Sequence, residues 1–172
     1  MATIEQGTAP SPECAKVTIC ASRRPSPATN SMNDRFFVDT NILVYAYDDS
    51  AGPKHAMALS LLKQGLQSGA AIISTQVLQE LVICLRRRVA RPLENKEIRK
   101  IVSELLDEWE VFVNNSKSVL HSLEIEDRYK TSFWDALILY AAQESAAQTL
   151  YTENLNHGQM YGGVRVINPF KL

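Results

Sequence analysis

Residues 35–47 read RFFVDTNILVYAY, and this stretch decides the fold. Residues 35–38 are a short β-prone run, and the acidic Asp39 follows them directly. A helix is expected from residue 41 to about residue 47. A strand that passes into a helix at an aspartate is typical of α/β proteins, whose ligand sites lie beyond the carboxyl ends of parallel strands.

The alternation of strand and helix continues along the rest of the chain. Further strands are predicted at residues 70–73, 111–113, 149–151 and 164–167. Apolar residues at helical spacing predict helices at about 54–67, 75–88, 93–109, 116–129 and 133–147, the last nearly all apolar and therefore buried. Because helices separate the strands, we expect an α/β fold with a central parallel sheet of about five strands flanked by helices.

The N-terminal segment differs from the rest. Residues 1–31 are rich in Ala, Pro, Ser and Thr and show little periodicity, which predicts a disordered extension. Met32 begins the next segment, so a start at Met32 is an open alternative to a genuine tail. Residues 32–172 are expected to form one domain, long enough to fold without a disulfide or a structural metal.

Composition excludes several classes of protein. The 18 basic and 19 acidic residues leave a formal charge of −1, so a polyanion site must be local or must use metal ions as its positive charge. The three cysteines, Cys14, Cys20 and Cys84, form no CxxC pair, which favours a reducing cytoplasm. No apolar run approaches the roughly 20 residues of a membrane span, and no signal peptide is expected.

Acidic residues fall at the positions where such a fold places its ligand site. Asp39 follows the first strand, and Glu153 lies two residues beyond the fourth. Asp135 belongs to the first turn of the apolar helix, and Glu80 to the second turn of the helix that begins near Thr75. These carboxylates, from distant segments, are expected to converge on one edge of the sheet.

Converging carboxylates favour a hard divalent cation. Like charges held together raise one another's pKa values unless a cation neutralises them. Mg²⁺, with Mn²⁺ as a second candidate, prefers oxygen ligands, so a site of carboxylates without Cys or His selects these metals over zinc. Such metals can polarise a phosphodiester and stabilise its leaving oxygen.

Each acidic residue also has a simpler interpretation. Asp39 could cap the helix that follows it, and Ser132-x-x-Asp135 is a capping-box pattern. Glu80 could be a solvated glutamate at the flank of its helix. Only the combination of all of them favours a functional site.

Four stretches together resemble a known family. They are FVDTNILVY at residues 37–45, STQVLQE at 74–80, FWDALI at 133–138 and YTENLNHG at 151–158. In order and spacing they resemble the motifs of PIN-domain nucleases, and within that family they look most like bacterial VapC-type toxins. The resemblance covers about residues 34–170.

The resemblance implies an activity and partners. It implies a metal-dependent ribonuclease with a Rossmann-like sheet, an antitoxin protein that inhibits the site, and a homodimer. By matching positions, Asp39, Glu80 and Asp135 would be the catalytic, metal-binding carboxylates. Thr40 and Asn41 would be polar supports.

The fourth motif departs from the family's pattern. Many relatives carry Asp where this chain has Asn154, which keeps an oxygen but loses the charge. Glu153 next to it could supply charge directly or through water, as a weaker ligand. The departure puts a second metal in doubt and favours a site with one metal.

A basic cluster follows the second acidic motif. Arg86, Arg87 and Arg88 are candidates for contacting RNA phosphates. The alternative is a solvated helix end, where basic residues are favourable in any case.

Two other functions remain open at this point. A non-catalytic PIN-like module that binds RNA or protein is favoured by Asn154. A phosphatase of the haloacid dehalogenase kind would need a second Asp two residues after Asp39, where Asn41 stands instead.

Overall fold

The computed structural model describes residues 35–171, which fold around one six-stranded sheet. The strands are β1 (Phe36–Val38), β2 (Ala71–Ser74), β3 (Glu110–Phe112), β4 (Thr149–Tyr151), β5 (Met160–Tyr161) and β6 (Val164–Ile167). The helices are α1 (Thr40–Tyr47), α2 (Pro53–Ser68), α3 (Thr75–Arg87), α4 (Asn95–Glu108), α5 (Ser116–Tyr129) and α6 (Phe133–Glu144), with a 3₁₀ turn at Asp49–Ala51. The extension predicted for residues 1–31, and Met32, lie outside the described residues.

The sheet confirms the predicted α/β class. Its strand order is β3-β2-β1-β4-β6-β5, and all neighbouring strands are parallel except β5, which runs antiparallel to β6. The chain leaves β1 toward β2 and β3, then crosses back to place β4 on the other side of β1. The strand order therefore reverses between β1 and β4, and ligands bind at such a point in open α/β sheets.

Burial explains why the central strands are continuous apolar runs. Every residue of β1 and β2 is buried, since helices cover both faces of the sheet. The apolar helix α6 is also buried as predicted, through Ala136, Leu137, Ile138, Leu139, Ala141 and Ala142. The ends of β1 and β2 are thus fixed by the core on both faces, which is the rigid support that a functional site needs.

The structure differs from the predicted elements in two places. Strand β5 was not predicted, because its two residues are too few to show an alternation of apolar and polar side chains. It pairs with β6 through a two-residue hairpin at Gly162 and Gly163, whose φ angles of 57° and 95° suit such a turn. Helix α6 ends at Glu144 instead of residue 147, because Ala146 turns the chain with a φ of 54°.

In residues 35–171, no helix combines the length and the apolar character that crossing a membrane requires.

Candidate active site

The carboxyl end of β1 meets the carboxyl end of β4 at the point where the strand order reverses. The backbone N–H of Asp39 donates to the carbonyl of Tyr151, 3.0 Å away. One residue further on, the hydroxyl of Thr152 donates to Asp39 Oδ2 at 2.6 Å. The acidic residue that follows β1 is therefore joined to the segment that follows β4.

Asp39 is buried and held by several donors. Its Oδ1 accepts the backbone N–H of Thr40 at 2.6 Å, so Asp39 caps α1 as the simpler interpretation expected. Its Oδ2 accepts from Asn41 Nδ2 at 2.8 Å as well as from Thr152. Capping and a role in the site are compatible here, because the cap uses one carboxylate oxygen and the segment after β4 contacts the other.

The environment of Asp39 favours its protonated form. Burial raises the pKa of Asp39 to about 6, although hydrogen bonds from Thr152 and Thr40 oppose the shift. The negative charges of Glu80 and Asp135 raise this pKa further. The three predicted carboxylates therefore lie close enough to interact electrostatically.

Glu80 is half-buried and is held from two sides. Thr40 Oγ1 donates to Glu80 Oε2 at 2.9 Å, which links α3 to the start of α1. Gln76, one turn earlier in α3, donates from Nε2 to Glu80 Oε1 at 2.8 Å. The same nitrogen donates to the carbonyl of Trp134 at 3.3 Å. Glu80 is thus fixed relative to both α1 and α6, and it is not a freely solvated glutamate.

Asp135 lies at the start of α6 and takes part in the predicted capping interaction. Its backbone N–H donates to Ser132 Oγ at 3.1 Å, and that hydroxyl donates to Asp135 Oδ2 at 2.7 Å. Asn154 Nδ2 approaches Asp135 Oδ1 at 3.5 Å, while the backbone N–H of Asn154 donates to Thr152 Oγ1. Asn154 therefore connects Asp135 to the Thr152 hydroxyl that contacts Asp39.

Glu153 has other partners. Its carboxylate forms an ion pair with Lys54 Nζ and accepts a hydrogen bond from the hydroxyl of Tyr45. Lys54 also donates to Tyr45 and lies 4.5 Å from the centre of its ring. Both oxygens of Glu153 are therefore engaged, and its negative charge is already offset by Lys54.

The donor set suits a hard cation, although it is not assembled as a ligand cluster. Across residues 35–171, no three acidic, histidine or cysteine side chains are grouped closely enough to hold one ion. Within the same residues, no basic side chain forms an ion pair with Asp39, Glu80 or Asp135. Two buried oxygens beside them, Asn41 Oδ1 and Gln76 Oε1, accept no hydrogen bond. Oxygen donors with excess negative charge and no countercharge are the chemistry that Mg²⁺ and Mn²⁺ accept.

Sequence reasoning missed two residues that organise this site. Thr152 stands in the fourth motif, next to the residues that were considered. Gln76 precedes Glu80 by four positions, a spacing that places both side chains on one face of a helix. That spacing could have predicted the pairing of Gln76 with Glu80. The contact between Gln76 and the start of α6 is visible only in the structure.

Arg86, Arg87 and Arg88 are exposed at the end of α3. At 1.5 Å per residue, Arg86 lies roughly 9 Å beyond Glu80 along the helix axis. None of the three arginines forms an ion pair within the described part of the chain. The three arginines can therefore bind an anion, but they do not lie among the carboxylates.

The family model that matches this chain is the PIN domain, over residues 36–162. The match spans well over half of the chain, and the chain therefore belongs to the PIN domain family. No match is found among curated proteins.

Solved structures with the same fold include components of toxin–antitoxin systems. The chain is similar to Mycobacterium tuberculosis VapC20, a toxin that cleaves the sarcin–ricin loop, with 20% identity and a TM-score of 0.55 over 68% of this chain and 88% of that one. It is similar to DNA-bound VapBC from Salmonella typhimurium, with 17% identity and a TM-score of 0.55 over 77% and 96%. A toxin–antitoxin complex from Klebsiella pneumoniae gives 21% identity and a TM-score of 0.56 over 81% and 100%. At these identities the likeness establishes the fold.

Proposed function

We propose that this PIN domain is a metal-dependent ribonuclease and the toxin component of a toxin–antitoxin pair. One observation carries the proposal: hydrogen bonds join Asp39, Glu80 and Asp135, from three distant segments, at the point where the strand order reverses. Thr40 links the first of them to the second, and the segment after β4 links the first to the third. A capping role alone would not require these links.

Asp39, Glu80 and Asp135 would hold Mg²⁺, or Mn²⁺ in its place. A cation held by these carboxylates would supply positive charge to polarise the phosphodiester and to offset the charge on the leaving oxygen. The neutral amide of Asn154, and the engagement of Glu153 with Lys54, favour one metal over two.

The chain's own residues orient the carboxylates for hydrolysis. In this reaction the oxygen of water bonds to phosphorus and the bond from phosphorus to a ribose oxygen breaks. The attacking water loses a proton, and the leaving ribose oxygen takes up a proton from solvent. Glu80 and Asp135 are partly exposed, so either carboxylate can face that water and accept its proton. Asp39 is buried and held by three donors, which suits it to anchor the site.

The proposed partners follow from the family and from the neighbouring folds. Toxin–antitoxin complexes are among the similar structures, which supports a cognate antitoxin protein as the partner that inhibits this site. RNA is the proposed substrate, the cytoplasm the proposed location, and a homodimer the proposed state of the domain.

The deciding experiment is cleavage of total bacterial RNA by the purified, partner-free protein with Mg²⁺, with Mn²⁺ or with EDTA. Cleavage that requires the metal supports the proposal. No cleavage with either metal, by protein whose circular dichroism shows it to be folded, would contradict it.

A non-catalytic binding module is the second candidate. Asn154 and the lack of an assembled ligand cluster within residues 35–171 are the observations that favour it. Thermal unfolding with and without Mn²⁺ separates the two functions. A nuclease site should be stabilised by the metal, whereas a module without a metal site should unfold at the same temperature in both conditions.

The exposed arginines give a further prediction. Replacing Arg86, Arg87 and Arg88 together with Gln should weaken RNA binding and flatten its dependence on salt. If each arginine contacts one phosphate of single-stranded RNA, the negative slope of log K against log salt should become shallower by about 2 units. A triple change of Lys63, Lys117 and Lys171 to Gln is the matched control, since it removes equal charge from scattered positions. Equal slopes for the two triple variants would show that the arginines do not contact RNA.

A further inference from the structure

Trp134 is an exposed indole in the first turn of α6, whose central residues are buried. It leaves 61% of its surface in solvent, whereas the chain's other tryptophan, Trp109, leaves 5%. The apolar residues that follow Trp134 in α6, beginning with Ala136, are buried in the core. Tryptophan is enriched at interaction surfaces because its ring combines a large apolar face with a polar N–H, so an exposed indole next in sequence to Asp135 is a candidate contact with a ligand.

The backbone of Trp134 is tied to the carboxylates. Asp135 is its neighbour in sequence, and its carbonyl accepts the Gln76 Nε2 that also holds Glu80. Gln76 is itself buried, so this link is not a loose surface contact. The backbone of Trp134 is therefore fixed at the border of the candidate active site, relative to two of its carboxylates.

The ring of Trp134 has one aromatic neighbour. Phe133 meets it edge to face, with ring centres 5.5 Å apart and an angle of 69° between the planes. This contact limits the rotation of the indole while most of its surface stays in solvent. A ring that is already oriented loses little conformational freedom when a ligand stacks on it.

The charge of the site makes such a surface useful to a nuclease. Asp39, Glu80 and Asp135 repel phosphates, and the formal charge of the whole chain is −1. Stacking on an indole does not depend on charge, and it contributes strongly to the binding of single-stranded nucleic acid. Only an unpaired base presents a free face, because bases in a duplex already stack on their neighbours.

We propose that Trp134 stacks on an unpaired base of the RNA beside the phosphodiester that is cleaved. The proposal rests on the proposed ribonuclease function and adds a residue that contacts the substrate, through the face of one unpaired base.

Fluorescence tests the contact without catalysis. In a Trp109→Phe background, Trp134 is the only indole in the chain. In EDTA, an unpaired 12-nucleotide oligouridylate should quench its emission, and an RNA duplex of equal length should not. A quench of the same size by the duplex would overturn the proposal.

Binding of the labelled oligouridylate, followed by anisotropy, gives the magnitude. Trp134→Ala should raise the dissociation constant roughly 10- to 100-fold, while Trp134→Phe should keep most of the affinity. Leu106→Ala is the matched control, since Leu106 is a similarly exposed apolar residue on α4 at 52%. Its dissociation constant should equal that of the wild type.

The outcomes separate this inference from the proposed function. If the wild type cleaves RNA and Trp134→Ala binds and cleaves as well as the wild type, the stacking role is wrong. If the wild type neither binds nor cleaves RNA, both proposals are wrong. Cleavage by Trp134→Ala with a raised KM and an unchanged kcat supports the stacking role.

Discussion

Asp135→Asn should lower metal-dependent RNA cleavage by at least about 100-fold and leave the fold intact. Changes to residues that only support a metal ligand already reduce activity roughly 10- to 100-fold, and the loss of a ligand's charge should exceed that. The fold should survive because the cap of α6 uses the backbone N–H of residue 135 and the hydroxyl of Ser132. An asparagine leaves both of these groups in place. Initial cleavage rates in Mn²⁺, together with circular dichroism, measure the two parts of the prediction.

A matched variant controls for the change in total charge. Asp127→Asn also replaces a carboxylate with an amide, on the exposed side of α5 and outside the candidate site. We expect it to cleave at the wild-type rate. Equal cleavage by folded Asp135→Asn and Asp127→Asn would remove Asp135 from the catalytic residues.

Backbone features were predictable from this sequence because local patterns determine them. The run at residues 36–38 is apolar without interruption, which indicates a strand buried on both faces, and β1 is such a strand. Ser132-x-x-Asp135 predicted the start of α6, and the Ser132 hydroxyl caps that helix. Both signals lie within a few residues of the element that they define.

Side-chain partners were less predictable because they join distant segments. Glu153 was predicted as a weaker metal ligand, and nothing in the sequence indicated that its carboxylate pairs with Lys54, a residue 99 positions earlier. No local pattern reports that pairing, since it depends on how α2 packs beside the segment after β4. The link from Thr152 to Asp39 spans 113 positions and was invisible for the same reason.

Asp39→Asn should make the metal-free protein more stable at neutral pH, although it should abolish cleavage. Burial raises the pKa of Asp39 from about 3.8 in the unfolded chain to about 6 in the fold, and the charges of Glu80 and Asp135 add to this shift. The folded state therefore binds this proton more tightly than the unfolded state does. The free energy of unfolding therefore falls progressively as the pH rises from about 3.8 to about 6. Above pH 6 the full loss, about 3 kcal/mol, applies.

An asparagine at position 39 carries no charge and so avoids that loss. Its Oδ1 can still accept the N–H of Thr40, and the Asn41 amide can turn so that its unpartnered Oδ1 accepts from the new Nδ2. Imperfect replacement of these bonds costs about 1 kcal/mol at any pH, which leaves a gain of about 2 kcal/mol at pH 7.5 and no gain near pH 4. Urea unfolding in EDTA at both pH values measures this gain in stability, with Asp127→Asn as the control that should show no such dependence on pH.

Mn²⁺ should reverse the order of stability of the two proteins, because it stabilises the wild type and not the variant that lacks the buried charge. A variant that is less stable than the wild type at both pH values in EDTA would show that burial of the Asp39 carboxylate does not destabilise the fold.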